Sequence, residues 1–157
     1  MILAIFVATN AGDTMQEVLE ITALAGMGLE DDRYATQTGS WSKTKPETRD
    51  VSLISIEAFA RAKGLYGVNI LPRESRRNIL VSLGIDELNA LVGKLFYPGD
   101  AVFEGTELCT PCNRPSKLSG KPGFMSAFNG TGGIRARVVT SGIIRIGDLI
   151  KIPAPLA

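Results

Sequence analysis

Apolar residues in this chain gather in short runs rather than in long helical stripes. Residues 2–8 form the first run and predict a buried strand, followed by a turn at Asn10-Ala11-Gly12-Asp13. From Met15 to Ala25 two periods compete. Met15, Val18, Leu19 and Thr22 fall at helical spacing, whereas Val18, Glu20 and Thr22 alternate as in a strand. Gly26 and Gly28 give backbone freedom to a loop that reaches Asp32. Residues 36–50 are polar apart from Trp41 and predict an exposed, flexible loop able to act as a lid. Residues 51–54 predict a strand, and Ser55 an N-cap. The helix it opens spans 56–63, is stopped by Gly64 and turns Ile56, Phe59 and Ala60 to the core.

Residues 79–83 form another strand-like run, and Asp86 reads as the N-cap of a helix over 87–92 that Gly93 ends. Pro98-Gly99-Asp100 turns the chain into a strand over 101–108. Residues 113–120 read as a loop, because Pro115 disfavours a helical Arg114. Pro122 opens a short helix over 123–128. Residues 135–140 and 143–146 predict a hairpin through Ser141-Gly142, and Gly147-Asp148 turns into a last strand over 149–152. Arg135 and Arg137 share one strand face, with Ala136 and Val138 on the other. Many short strands with a few short helices predict one mainly β domain over 1–157, closed into a barrel, with no internal repeat or linker.

Composition narrows the function classes. The chain's 157 residues, 45% hydrophobic and 21% charged, suit a single ordinary globular domain. A net charge of +1 gives no basic field for nucleic acid, so anions must be recognised by local arginines. There is no histidine, which removes the usual general base and every Ser-His or Cys-His pair. The opening MILAIFVATN has no positive flank and reads as a strand rather than a secretion signal. No apolar run reaches membrane-spanning length. Two thiols without a disulfide pattern point to a reducing cytoplasm.

The chemistry concentrates between Arg73 and Cys112. Arg73, Arg76 and Arg77 stand at one end of this stretch, and the chain's two cysteines, Cys109 and Cys112, at the other. Guanidinium groups suit phosphate or carboxylate, and a thiolate is a nucleophile, sulfur carrier or soft metal ligand. The plain alternatives are a solvated arginine run and two small buried hydrophobes. Two cysteines three apart cannot by themselves complete a tetrahedral zinc site.

The order of motifs resembles the MOSC domains, named for the C-terminal domain of molybdenum-cofactor sulfurase. The resemblance rests on GLEDDRY (28–34), RDVSLIS (49–55), RRNILVSLGIDELNALVGKLFYPGDAVFEG (76–105), CTPC (109–112) and GGIRARVVTSGIIRIGD (132–148). It implies a distorted barrel like the inserted domain of pyruvate kinase, and a molybdopterin-type cofactor. It makes Cys112 the key residue, as a persulfide carrier or a molybdenum ligand, with a sulfur donor or acceptor protein as partner. Arg76 matches an arginine that contacts the cofactor in relatives, and Arg33 matches another. Arg77, Asn78, Cys109 and Arg135 complete the expected cofactor-binding set, Asn78 through an amide suited to a pterin edge. Where the family shows glycine this chain has Asp31, whose carboxylate is expected to alter the loop or repel an anion. Other classes stay open: a molybdenum-dependent reductase of N-hydroxylated compounds, a CxxC dithiol protein, and a non-catalytic cofactor-binding module. The family's link to pyridoxal phosphate belongs to a separate domain, and no lysine here has a Schiff-base context.

Overall fold

The strongest apolar runs become β1 (Ile2–Val7), β5 (Val51–Ser55) and β6 (Ile79–Val81), side by side within one sheet of the computed structural model, which describes residues 1–44 and 48–154. They are apolar except for two buried serines of β5, Ser52 and Ser55, because both of their faces are covered. Alternate side chains divide between two cores: Ile5, Leu53, Ile79 and Val81 go to one, and Phe6, Ile54 and Leu80 to the other.

The remaining strands are β2 (Gln16–Val18), β3 (Glu20–Leu24), β4 (Gly28–Leu29), β7 (Leu95–Pro98), β8 (Val102–Leu108), β9 (Ile134–Thr140), β10 (Gly142–Arg145) and β11 (Ile150–Lys151). Eight strands make a sheet in the order β11-β7-β8-β9-β5-β6-β1-β2, and β10-β3-β4 make a second of three. Every pairing is antiparallel except β5 with β6. That parallel pair needs a crossover, supplied by α1 (Ile56–Tyr66) and a 3₁₀ turn over Pro72–Ser75. The first core lies between the sheets, where Phe96 and Phe103 meet edge-to-face at 5.7 Å. The second packs the large sheet on Ala58 and Ala62 of α1 and on Phe124 and Ala127 of α4 (Phe124–Ala127).

The sheets are open, and the expected closed barrel does not form. The edges β2 and β11 do not pair with each other. Single backbone bonds, Ile2 N–H to Asp148 O and Gly147 N–H to Ile2 O, both 2.8 Å, tie the ends without a ladder. The expected hairpin after β9 is also absent, because β10 leaves to pair with β3 while β9 lies between β5 and β8.

Local boundaries shift for identifiable reasons. α1 runs through Gly64 to Tyr66, and Gly67 at φ 66° caps it. Ala58 and Ala62 face the core, while Ile56 and Ala60 are exposed. α2 covers Ile85–Asn89, and its start is closed by Glu87 accepting the Gly84 N–H at 2.8 Å rather than by Asp86. Residues read as a loop after Cys112 contain α3 (Arg114–Ser119), since Pro115 stands in the first turn, where no N–H is needed. Residues 36–44 form turns, and 45–47 of the expected lid lie outside the described residues.

Asn78 joins three strands. Its Oδ1 accepts from Ser52 N–H and Ser52 Oγ, and its Nδ2 donates to Phe6 O, each at 3.1 Å in full burial. Asn78→Ala would orphan buried groups and is expected to lower stability by about 1–3 kcal/mol, measured as a shift of the urea unfolding midpoint.

Candidate functional site

The 3₁₀ turn over Pro72–Ser75 ends on Arg76, whose φ of 67° puts a non-glycine residue in the left-handed region. The chain then enters Arg77, Asn78 and β6, so the arginine pair is anchored by a central strand. Arg77 is buried, and its Nε donates to Gly132 O at 2.8 Å. The neighbouring Gly133 accepts the Cys109 N–H, also at 2.8 Å. Only glycines fit here: a Cβ at Gly132 would lie 2.6 Å from the Cys109 carbonyl, and one at Gly133, where φ is 90°, would collide with the Leu53 carbonyl. The double glycine thus brings the arginine turn and the cysteine segment to one place.

Between them opens a cavity of about 310 Å³. Among the described residues six guanidinium groups line it, those of Arg33, Arg49, Arg76, Arg77, Arg114 and Arg135, against one carboxylate, Glu107. Cys112, half-buried, stands on the same wall, with Tyr34 and Trp41 as aromatic neighbours. Both cysteines are free thiols.

The arginines are not equivalent. Arg33 is buried and paired with Asp32 at 3.0 Å, and it donates to Arg76 O at the same distance. Asp32 is fully buried and also accepts the Ala8 and Tyr34 N–H groups, which fixes the turn. Arg49 and Arg135 approach one Glu107 oxygen at 3.2 and 3.9 Å. Arg76, Arg77 and Arg114 have no carboxylate partner among the described residues. Arg76 donates instead to the Asp13 carbonyl.

Electrostatics follow this division. Burial, then the charges of Arg33 and Arg114, pull the Arg76 pKa down to about 10. It remains a cation at neutral pH in surroundings that favour an added negative charge. Arg135 shows the reverse. Burial opposes its charge, but the ionised forms of Cys109, Tyr34 and Glu107, with a hydrogen bond to Tyr34, raise its pKa above the ordinary arginine value.

The family model for the MOSC domain matches residues 38–151. The chain belongs to the MOSC family. No curated protein matches it. Among solved structures it is similar to the YuaD protein of Bacillus subtilis, with TM-score 0.78, 21% identity and coverage of 97% of this chain and 96% of that one. It is also similar to YiiM of Geobacillus stearothermophilus (TM-score 0.72, 15% identity, 98% and 75% covered) and YiiM of Escherichia coli (0.68, 16%, 100% and 72%). At these identities the likeness is one of fold.

In this MOSC domain the cavity collects Arg33, Arg76, Arg77, Arg135 and Cys112 from the set read in the sequence. Arg73 is exposed, outside the cavity. Asn78 and Cys109 do not line it either. The Asn78 amide is bonded to the backbone of β1 and β5, and Cys109 is 4% exposed beside Gly133. Asp31 takes φ 60°, the left-handed conformation a glycine would adopt there, and is exposed off the cavity wall. Its carboxylate therefore makes no direct contact with a group bound in the cavity.

Residues missed in the sequence are Tyr34, Trp41, Arg49, Glu107 and Arg114. Arg49 was visible as the first residue of the RDVSLIS motif, and Arg114 as an arginine just after CTPC. Trp41 was visible as the lone tryptophan of a polar segment.

No helix among the described residues is long and apolar enough to cross a membrane.

Proposed function

We propose that this cavity binds a molybdopterin-type cofactor, with its anionic end on Arg76, Arg77 and Arg114 and its metal end toward Cys112. The observation that carries the reading is a half-buried free thiol sharing one wall with three guanidinium groups that no carboxylate among the described residues neutralises. The donor set fits the group. Guanidinium matches phosphate in charge and fork geometry, and thiolate is a soft ligand of the kind a thiophilic metal accepts. Among the described residues no three His, Cys, Asp or Glu side chains gather to hold a metal ion, so a metal here must arrive with organic ligands of its own. The volume lies at the lower end of small-molecule pockets, about 300–1,000 Å³.

The cofactor, when bound, would supply a molybdenum centre for oxygen- or sulfur-transfer chemistry. The chain's own residues hold its phosphate, screen it from water with Trp41 and Tyr34, and present sulfur from Cys112. A second reading, Cys112 as a persulfide carrier, draws on the same exposure of Cys112 beside cationic groups that would stabilise an anionic persulfide. The dithiol reading has less support, because Cys109 is buried away from the cavity.

Metal analysis of protein purified from a host that makes molybdenum cofactor tests the proposal. Near-stoichiometric molybdenum, lost with the organic cofactor, is the expected result. Metal-free protein that releases thiocyanate on cyanolysis would favour the persulfide reading, and protein with neither would leave an anion-binding module.

A further inference from the structure

Among the described residues Glu107 is the one carboxylate on a wall of six guanidinium groups, and its placement depends on a break in strand register. Along β9, Arg137 and Arg135 point to one face. Arg137 faces Glu104 across the ladder, and the pair closes at 2.5 Å on an exposed surface. Regular pairing would then set Arg135 against Thr106. An extra residue between Gly105 and Glu107 shifts the register, and Arg135 meets Glu107 instead. The bulge thus aims a carboxylate into the cavity, where Arg49 Nε at 3.2 Å, Thr48 Oγ1 at 3.4 Å and Arg135 Nε at 3.9 Å converge on its Oε1. The side chains of Arg49 and Arg135 are 16% and 12% exposed, so these pairs are shielded more than surface ones.

The cavity has two electrostatic halves as a result. Among the described residues Arg76, Arg77 and Arg114 form an uncompensated half, and Arg49, Arg135 and Glu107 a partly compensated one, in which one carboxylate offsets one of two guanidinium charges.

We propose that Glu107 sets the ligand class of the cavity: by occupying Arg49 and Arg135 it limits the site to ligands with a single anionic end and turns away those carrying a second. This rests on the reading of the cavity as an anion site, and not on the identity of the cofactor. A second anionic group brought to the partly compensated half would meet Glu107 at close range, and like charges there are unfavourable. A neutral, hydrogen-bonding group would meet no such cost.

Calorimetric titration of the full chain with inorganic phosphate at low ionic strength tests the inference. Wild type should bind one phosphate, and Arg76→Ala should lose at least tenfold in affinity. Glu107→Gln keeps size and hydrogen bonding but removes the charge, so it should bind a second phosphate. The deciding protein is Glu107→Gln combined with Arg76→Ala. It should bind phosphate at least tenfold more tightly than Arg76→Ala alone, and adding Arg135→Ala should abolish the gain. Glu107→Ala serves as the second variant, since it removes the same charge by a different side chain. If the combined variant binds no better than Arg76→Ala, the role of Glu107 is overturned. Failure of wild type to bind phosphate would instead count against the proposed function, and leaves the comparison of the two variants decisive for Glu107.

Discussion

Cys112→Ser is expected to abolish molybdenum retention, or persulfide formation if the protein carries sulfur, while the fold stays intact. The side chain is half-buried on the cavity wall, so exchanging sulfur for oxygen removes a soft donor with little change in packing. Cys109→Ser should act differently. That thiol is 4% exposed beside the Gly132-Gly133 backbone, where burying a hydroxyl without a sure hydrogen-bond partner lowers stability. Its effect on retention should be partial and follow the loss of folded protein. Accessibility gives an independent check, since alkylation read by mass spectrometry should label Cys112 before Cys109. Full retention in Cys112→Ser, with preferential labelling of Cys109, would reverse the assignment.

Arg76→Gly should weaken binding of the anionic ligand by roughly tenfold to a hundredfold, the equivalent of about 1.5–3 kcal/mol for a lost charged contact. Glycine isolates the guanidinium better than alanine does. At φ 67° any side chain carries left-handed strain of about 1–2 kcal/mol, which glycine relieves as the hydrogen bond to the Asp13 carbonyl is lost. The opposing effects should leave stability within about 1 kcal/mol of wild type. Arg76→Lys should recover little binding, for lysine has no planar fork. The lowered pKa adds a pH signature. Ligand affinity should fall as pH rises through about 10, where Arg76 loses its proton. The unliganded protein has the opposite dependence. Folding disfavours the charged form of Arg76, so its penalty is present below about pH 10 and fades above it, toward the ordinary arginine value. Affinity that is equal in all three proteins and flat across that pH range would leave Arg76 a bystander.

The strands and the chemistry were legible in the sequence to different depths. β1, β5 and β6 announced themselves because strands covered on both faces are written as nearly continuous apolar runs, broken in β5 only by Ser52 and Ser55. Closure was not legible, since it depends on whether edge strands find each other, and neither β2 nor β11 carries a pattern naming its partner. The Ser141-Gly142 turn was misread for a related reason. Gly142 fits closely against the Asp100 backbone, and β10 pairs with β3, a choice made by contacts distant in sequence. At the cavity, Arg76, Arg77 and Cys112 were legible because their motifs gather unlike chemistries. Asn78 stands off the cavity because its amide ties strands, and a buried asparagine that does so has the same letter as one that holds a ligand. Glu107 was hidden by the bulge, since strict alternation would have aimed it elsewhere.

The double burial of the central strands bears on how the cavity opens in time. Arg77 and Asn78 lead into β6, so displacing the arginine wall means breaking ladders to β1 and β5 that sit between two cores. Such openings approach the free energy of global unfolding. Cys112 lies between the end of β8 and the six-residue α3, outside any strand ladder, where local opening breaks no sheet pairing. Of the proposed anion-binding arginines, Arg76 and Arg77 are therefore tied to the most protected strands, whereas Arg114 shares the α3 segment with Cys112, so a local opening that frees Cys112 would also release Arg114.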